Sequence, residues 1–177
     1  MARTKGDLGF SVIDLPTDSA IVGIDPGGSG GIAIYRDGDM VATKMPDTER
    51  DLWELLAGCD PGVAFIEKVA SSPQMGVKSA FTFGRSAGLL HGFLIAAGLR
   101  IEYVTPQRWQ LVHRLPKVGG GLGKNDTAKK RRNKAKAQEL HPQLKITNAT
   151  ADAILICEYG LKTIAAAWTA RKRSGWV

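Results

Sequence analysis

Three carboxylates adjoin apolar segments of the chain and are the residues best suited to chemistry. Asp25 and Glu67 each end a short apolar run, and Asp152 lies near the start of an apolar helical pattern. An acid in such a position is costly to desolvate unless a cation binds it. Carboxylate oxygens suit Mg²⁺ or Mn²⁺, and two such ions can clamp the attacking and leaving oxygens of a phosphodiester displacement. We therefore predict that the three acids meet in a divalent-metal site.

Asn148 lies four residues before Asp152, and residues at this spacing share a helix face. It stands where a fourth metal ligand or a base is expected. An amide oxygen can coordinate a cation, although it carries no charge and cannot accept a proton. Alternatively, Asn148 serves only as the N-cap of the helix, which asparagine does well. The two roles are compatible.

A dense group of cations follows a glycine-rich loop at 116–123. Such density attracts phosphate and releases counterions on binding, and the group has no interleaved aromatic residue, which favours contact with the phosphate backbone over base readout. The alternative is a solvated helix face. We expect nucleic-acid contact, from Lys124, Lys129, Lys130, Arg131, Arg132 and Lys134. Ser71 and Ser72, in the loop after Glu67, are further candidates for binding phosphate.

The composition favours a single globular domain with an acidic partner. The chain has 177 residues and a formal net charge of +7, and nucleic acid is the commonest partner of such a basic chain. Cys59 and Cys157 belong to no metal-spaced pair and indicate reduced thiols in a cytoplasmic protein. We find no secretory signal and no apolar stretch long enough to span a bilayer, so we expect no membrane partner.

The predicted elements must bring the acids together. Their order is β-β-β-α-β-α-β-α-α-α, an α/β domain with antiparallel strands first and parallel additions later. Asp37-Gly38 predicts a hairpin turn, and Thr48 with Asp51 predicts a helix start. Residues 1–18 are expected to be a flexible leader, followed by one domain over 19–177.

Three segments resemble, in order, the three motifs of the RuvC-type Holliday-junction resolvases: Gly23–Gly27, Ile66–Val69 and Ala151–Ala153. Gly76–Ser86 and Val104–Trp109 look more like the phage-encoded branch than the bacterial one. Each motif alone is weakly specific, but three in order, with compatible elements between them, are fairly specific. The resemblance covers nearly the whole domain.

The resemblance implies a ribonuclease H-like fold with a mixed five-stranded sheet, three strands antiparallel and two parallel, flanked by helices. It implies a homodimer that makes paired, Mg²⁺-dependent (or Mn²⁺-dependent) nicks across a branched, four-way DNA junction, with two ions in each active site and no organic cofactor. Asp25, Glu67 and Asp152 would be catalytic metal ligands, and Lys124 or Lys129 would neutralise developing charge. Lys78 and Arg85, from the phage-like segment, join the expected DNA-binding residues. A phage-encoded member would act in the cytoplasm of its bacterial host.

Asn148 departs from the family, which usually places an Asp or a His at this position. Either the chain is a natural variant that uses the amide oxygen, or an inactivating substitution stands there, and we lean to the second explanation. Three other functions stay open: a junction-binding protein that does not cut, a nuclease for RNA–DNA hybrids, and a relative of the actin-like ATPases. The last class needs two lobes and about twice this length.

Overall fold

The structure is a computed structural model that describes residues 18–69, 75–117 and 126–173. The strands are β1 (Ala20–Asp25), β2 (Gly31–Arg36), β3 (Asp39–Lys44), β4 (Gly62–Glu67) and β5 (Arg100–Val104). The helices are α1 (Glu49–Ala57), α2 (Val77–Ala96), α3 (Pro106–Val112), α4 (Asp126–Leu140) and α5 (Asn148–Arg173). The expected leader, up to residue 17, lies outside the described residues, as do Ser71, Ser72 and Lys124. No helix in the described part of the chain is both long and apolar enough to cross a membrane.

The five strands form one mixed sheet in the order β3-β2-β1-β4-β5. β1, β2 and β3 pair antiparallel, and β4 and β5 are added in parallel. The predicted sheet of three antiparallel and two parallel strands is therefore confirmed. The turn between β2 and β3 has positive φ angles at Asp37 (53°) and Gly38 (92°), as the predicted hairpin requires.

Each face of the sheet carries its own apolar core, because successive strand residues point to opposite faces. On one face, Val22 and Ile24 pack with Leu56 of α1 and Leu94 of α2. On the other face, Ile21 packs with residues of α3, α4 and α5, among them Trp109, Ala137 and Ile154.

Glycines on β1 and β2 let α5 lie directly on the sheet. A Cβ at Gly23 would overlap the backbone of Ala153 and Cys157, and a Cβ at Gly31 would lie 2.5 Å from the carbonyl oxygen of Ala149. A side chain at either strand position would therefore hold the helix away. This close approach brings the first turns of α5 to the end of β1.

The start of α1 follows the sequence prediction, but the start of α5 does not. Thr48 caps α1 by accepting a 3.1 Å hydrogen bond from the Asp51 amide. At α5 the capping residue is Thr147. Its amide donates to Thr150 Oγ1 at 3.0 Å, and its own hydroxyl accepts from the Thr150 amide at 3.3 Å. The N-cap alternative for Asn148 is thus wrong, since the preceding threonine makes the reciprocal contacts of a cap.

Candidate active site

Asp25 and Glu67 lie side by side at one edge of the sheet. The parallel register pairs Ile24 with Ile66, so each acid stands one position beyond that pair. Asp25 shares strand parity with Ile21, and Glu67 with Phe65, and both of these apolar side chains belong to the core beneath α5. The two carboxylates therefore point to the face on which α5 packs.

Asp152 joins them from the second turn of α5. Its Oδ1 accepts a 2.8 Å hydrogen bond from Nδ2 of Asn133 on α4. Its charge raises the pKa of both Asp25 and Glu67, which requires the three carboxylates to be close. The structure thus brings together the three acids that the sequence singled out, and their role as metal ligands stays a prediction.

Burial and mutual repulsion make the two strand acids difficult to ionise. Loss of water, then the charge of Asp152, raises the pKa of Asp25 from 3.8 to about 7, while Lys130 acts in the opposite direction. Loss of water, then Asp25 and Asp152, raises the pKa of Glu67 from 4.5 to about 7. The site therefore concentrates negative charge that the nearby cation only partly offsets.

Trp109 of α3 supplies a polar hydrogen beside Glu67. The side chain is 1% exposed, and its Nε1 has no hydrogen-bond partner of standard geometry among the described residues. Its attraction for the Glu67 carboxylate lowers the pKa of that group against the larger effects that raise it. A buried indole N–H without a partner is costly, so Trp109 favours a charged carboxylate in front of it.

The donor set fits a hard divalent cation. All three acids offer oxygen, the ligand that Mg²⁺ prefers, and an ion would relieve the repulsion between them. Within residues 18–69, 75–117 and 126–173, no group of three or more His, Cys, Asp or Glu side chains already forms a metal cage. A complete cage is not required, because Mg²⁺ is usually held by one or two carboxylates together with waters and substrate phosphates.

The predicted DNA-binding cations of α4 fall into two groups. Lys129, Arg131 and Lys134 are exposed, as contact with a phosphate backbone requires. Lys130 is also exposed and is close enough to Asp25 to lower its pKa. The guanidinium of Arg132 instead points into the protein, toward Gln110 and Pro116.

The guanidinium of Arg132 is held by hydrogen bonds within the protein. Its Nε donates to Asn133 Oδ1 at 2.9 Å, one terminal nitrogen donates to the Pro116 carbonyl at 2.6 Å, and the other donates to Gln110 Oε1 at 3.3 Å. Partial burial lowers its pKa, while the charge of Asp152 raises it. Contact between Arg132 and DNA stays a prediction.

The other expected site residues lie around this centre. Lys78 borders a shallow hollow beside the Gly27–Gly28 turn that follows Asp25. Arg85 also lines a hollow at this turn, and it forms an exposed ion pair with Glu49 at 2.5 Å. Asn148 is exposed at the first position of α5, one helical turn before Asp152.

Comparison with known proteins defines the class of fold. No family model matches the sequence, and no curated protein matches it. The solved structure of Thermus thermophilus RuvC in complex with a Holliday junction substrate aligns with a TM-score of 0.57 at 14% identity, covering 84% of this chain and 96% of that one. A second structure of Thermus thermophilus RuvC aligns with a TM-score of 0.53 at 16% identity over the same shares.

The chain therefore has the ribonuclease H-like fold seen in RuvC Holliday junction resolvases, as the three motifs implied. At these identities the similarity concerns the fold. The closer resemblance to the phage-encoded branch stays a prediction.

Sequence reasoning missed the polar residues that surround the acids. Asn133 contacts Asp152 and Trp109 lies beside Glu67. Lys130, predicted as a DNA-binding residue, also lowers the pKa of Asp25. One signal for Asn133 was available. It lies four residues before Ala137 in a strongly charged helix, so the two uncharged residues share a helix face, and both are buried. A polar residue on the buried face of a helix needs a buried partner.

Proposed function

We propose that this protein is a structure-selective endonuclease that resolves four-way DNA junctions by paired, metal-dependent phosphodiester hydrolysis. The observation that carries the proposal is the meeting of Asp25, Glu67 and Asp152 at one sheet edge, next to the cationic helix α4. The solved neighbour whose structure contains a Holliday junction substrate supports the choice of DNA.

Each group of side chains has a distinct task in the proposed reaction. Asp25, Glu67 and Asp152 would hold two divalent ions, and Asn148 would add an amide oxygen. Bound ions would supply Lewis-acid stabilisation of the attacking and leaving oxygens. Water attacks the scissile phosphate in line, which leaves 5′-phosphate and 3′-hydroxyl ends.

The cations of α4 serve the phosphate groups. Lys130, the cation that acts on Asp25, joins Lys124 and Lys129 among the lysines that we expect to neutralise charge developing on the phosphate. Lys129, Arg131 and Lys134 would hold the backbone of the bound strand. Lys78 and Arg85 would contact DNA from the side of α2. Lys124, Ser71 and Ser72 remain candidates from segments outside the described residues.

Paired cutting requires two active sites, so we propose that the active form is a homodimer. A two-fold dimer matches the near two-fold symmetry of an open junction. A supercoiled plasmid with an extruded cruciform tests the pairing: coordinated nicks produce linear product directly, whereas a single active site accumulates nicked circles.

The decisive experiment incubates a synthetic four-way junction and a linear duplex of equal length with the protein, with Mg²⁺, Mn²⁺ or EDTA. We expect tighter binding to the junction than to the duplex, and metal-dependent cleavage near the crossover by the unmodified protein or, where Asn148 inactivates it, by Asn148→Asp. Equal affinity for both substrates would remove the junction proposal. Preferential cutting of an RNA–DNA hybrid in competition would instead favour the ribonuclease H alternative.

A junction-binding protein that does not cut is the second candidate, because Asn148 is an uncharged residue one turn before Asp152. Asn148→Asp and Asn148→His separate the two candidates. Gain of Mg²⁺-dependent cleavage identifies an enzyme inactivated at this position, whereas junction binding without cleavage in all three proteins identifies a binding protein.

A further inference from the structure

Asp152, a proposed metal ligand, contacts a buried carboxamide that is itself held on both sides. Asn133 is 3% exposed. Its Nδ2 donates to Asp152 Oδ1 at 2.8 Å, and its Oδ1 accepts from Arg132 Nε at 2.9 Å. A flipped amide would place oxygen against the carboxylate and nitrogen against the guanidinium, so the two contacts fix its orientation.

Arg132 is in turn anchored to two other segments. Its terminal nitrogens reach the carbonyl of Pro116, after α3, and the side chain of Gln110 on α3. Three of its five N–H groups are therefore used within the protein, which leaves few for a phosphate. Arg131, the neighbouring residue, is exposed and serves as its natural comparison.

We propose that Arg132 and Asn133 form a relay that holds the Asp152 carboxylate in the orientation needed for cation binding, and that Arg132 is a positioning residue and not a phosphate contact. The proposal rests on the metal-dependent function above. Residues behind a metal ligand fix its geometry, and a hydrogen bond donated to a carboxylate favours its charged form. An amide donor does this without adding charge next to the carboxylate, and Arg132 places its positive charge one contact further away.

The position of the relay explains why it is needed. Asp25 and Glu67 repel Asp152, so an unrestrained carboxylate on α5 would turn away from them. The relay also links the cationic helix α4 to the acids. A movement of α4, which carries the proposed DNA-binding cations, should therefore also move the carboxylate of Asp152, a proposed metal ligand.

Arg132→Lys and Asn133→Ala test the relay. Arg132→Lys keeps the charge but cannot reproduce the three-way contact. We expect both variants to lower Mn²⁺ affinity, measured by calorimetric titration, by about 10- to 100-fold. Turnover at saturating junction should fall similarly, whereas junction affinity without divalent metal should change less than about twofold for Arg132→Lys. The matched control, Arg131→Lys, should leave Mn²⁺ affinity unchanged.

The double variant gives a readout that general destabilisation does not. If the residues act in series, Arg132→Lys has little further effect on Mn²⁺ affinity in the Asn133→Ala background. Thermal unfolding verifies that the variants are folded, and Arg132→Lys, at a half-buried position, serves alone if Asn133→Ala does not fold. Unchanged Mn²⁺ affinity with weakened junction binding in Arg132→Lys would overturn the proposal and make Arg132 a phosphate contact.

A separate measurement distinguishes failure of the relay from failure of the proposed function. If the unmodified protein neither cuts junctions nor binds Mn²⁺, the nuclease proposal fails, and the relay is then judged by NMR. The Asn133 side-chain amide should be protected from hydrogen exchange in the unmodified protein, and Asp152→Ala and Arg132→Lys should each remove that protection. Exchange rates that are the same in all three proteins would contradict the relay.

Discussion

At the scale of single residues, Asp25 and Glu67 are held in a state that opposes their ionisation. Each has lost most of its water and faces other carboxylates, and the pKa of each is raised to about 7. In the metal-free protein these acids should therefore reduce stability at neutral pH. Cation-binding sites often contain such destabilising acids, because a bound cation stabilises the charged carboxylates in place of the water that they lost on folding.

The first prediction concerns removal of one charge. Asp25→Asn should abolish metal-dependent cleavage, because one proposed metal ligand loses its charge. In EDTA at pH 8 the same variant should unfold at a temperature about 3–8 °C higher, since relief of repulsion and desolvation is worth on the order of 2 kcal/mol. Calorimetry checks the shift, with the exposed Asp39→Asn as a control that should stay within about 0.5 kcal/mol. A lowered unfolding temperature for Asp25→Asn would contradict this account.

The second prediction is a pH dependence. Both pKa values are higher in the folded protein than in the unfolded chain, near 3.8 and 4.5. The unfolded chain therefore ionises first as pH rises. The stability contributed by the protonated acids is complete below about pH 4, declines above that, and is lost above about pH 7. In EDTA, the stability gained by Asp25→Asn over the unmodified protein should be larger at pH 8 than at pH 5, measured by urea unfolding.

The third prediction follows from competition between protons and cations. Metal binding requires deprotonated carboxylates, so Mg²⁺ affinity should fall by about tenfold per pH unit for each proton displaced below pH 7. The rise in unfolding temperature produced by a fixed Mg²⁺ concentration should therefore be larger at pH 8 than at pH 6. Equal shifts at the two pH values would mean that Mg²⁺ binds away from Asp25 and Glu67.

At the scale of elements, the site depends on how closely α5 approaches β1 and β2. At Gly23 and Gly31 there is no room for a side chain beneath the helix backbone. Asp152 reaches Asp25 and Glu67 only because α5 packs this close to the sheet. α4 adds little apolar surface of its own, with Ala137 as its buried apolar residue. Polar contacts also hold it, including those of Arg132 with Gln110 and the Pro116 carbonyl.

The fourth prediction tests this approach with two glycines. Gly23→Ala places a Cβ against the backbone of α5, so it should cost about 2–4 kcal/mol in the free energy of unfolding and reduce cleavage. Gly84→Ala is the matched control, because Gly84 lies within α2 and a Cβ there would meet nothing within 4 Å. It should stabilise the protein by about 0.5–1 kcal/mol. Urea unfolding of both variants measures the contrast, and a neutral Gly23→Ala would contradict tight docking.

At the scale of the whole molecule, the cationic helix α4 and the acidic edge of the sheet form two neighbouring regions of opposite charge. The chain carries a net charge of +7, and exposed cations of α4 stand next to the acidic edge of the sheet. A polyanion would be attracted by the helix and a divalent cation by the acids. Binding of either should favour binding of the other, because each neutralises charge that the other would face.

The fifth prediction measures the electrostatic part of DNA binding. Lys129→Gln and Arg131→Gln together should reduce the slope of log affinity against log salt concentration by about 2, or about 0.9 for each lost phosphate contact on duplex DNA. Fluorescence anisotropy of a labelled junction in EDTA between 50 and 200 mM salt provides the measurement. Arg50→Gln on α1, on the opposite face of the sheet, should leave the slope unchanged. A slope equally altered by Arg50→Gln would point to a general effect of net charge.

The amino-acid sequence by itself determined the strands, the helices and the identity of the three acids. These follow from local physics: apolar runs that end in a carboxylate, the Asp37-Gly38 turn, and the Thr48 cap. The turn and the cap could be read from the sequence because the chemistry of each lies within a few residues. The alternation of side chains along each strand could also be read from the sequence. Only the parallel pairing of β1 with β4, however, shows that Asp25 and Glu67 lie side by side on the same face.

Only the tertiary structure decided which side chains surround the acids. Asn133 and Asp152 are 19 residues apart, and Trp109 lies far from Glu67 along the chain, so no local pattern connects them. Arg132 and Arg131 are adjacent and chemically identical, yet one turns inward and the other faces solvent. Which arginine faces inward depends on how α4 packs against α5. The packing angle between two helices is set by many contacts between residues distant in sequence, so it exists only in the assembled core.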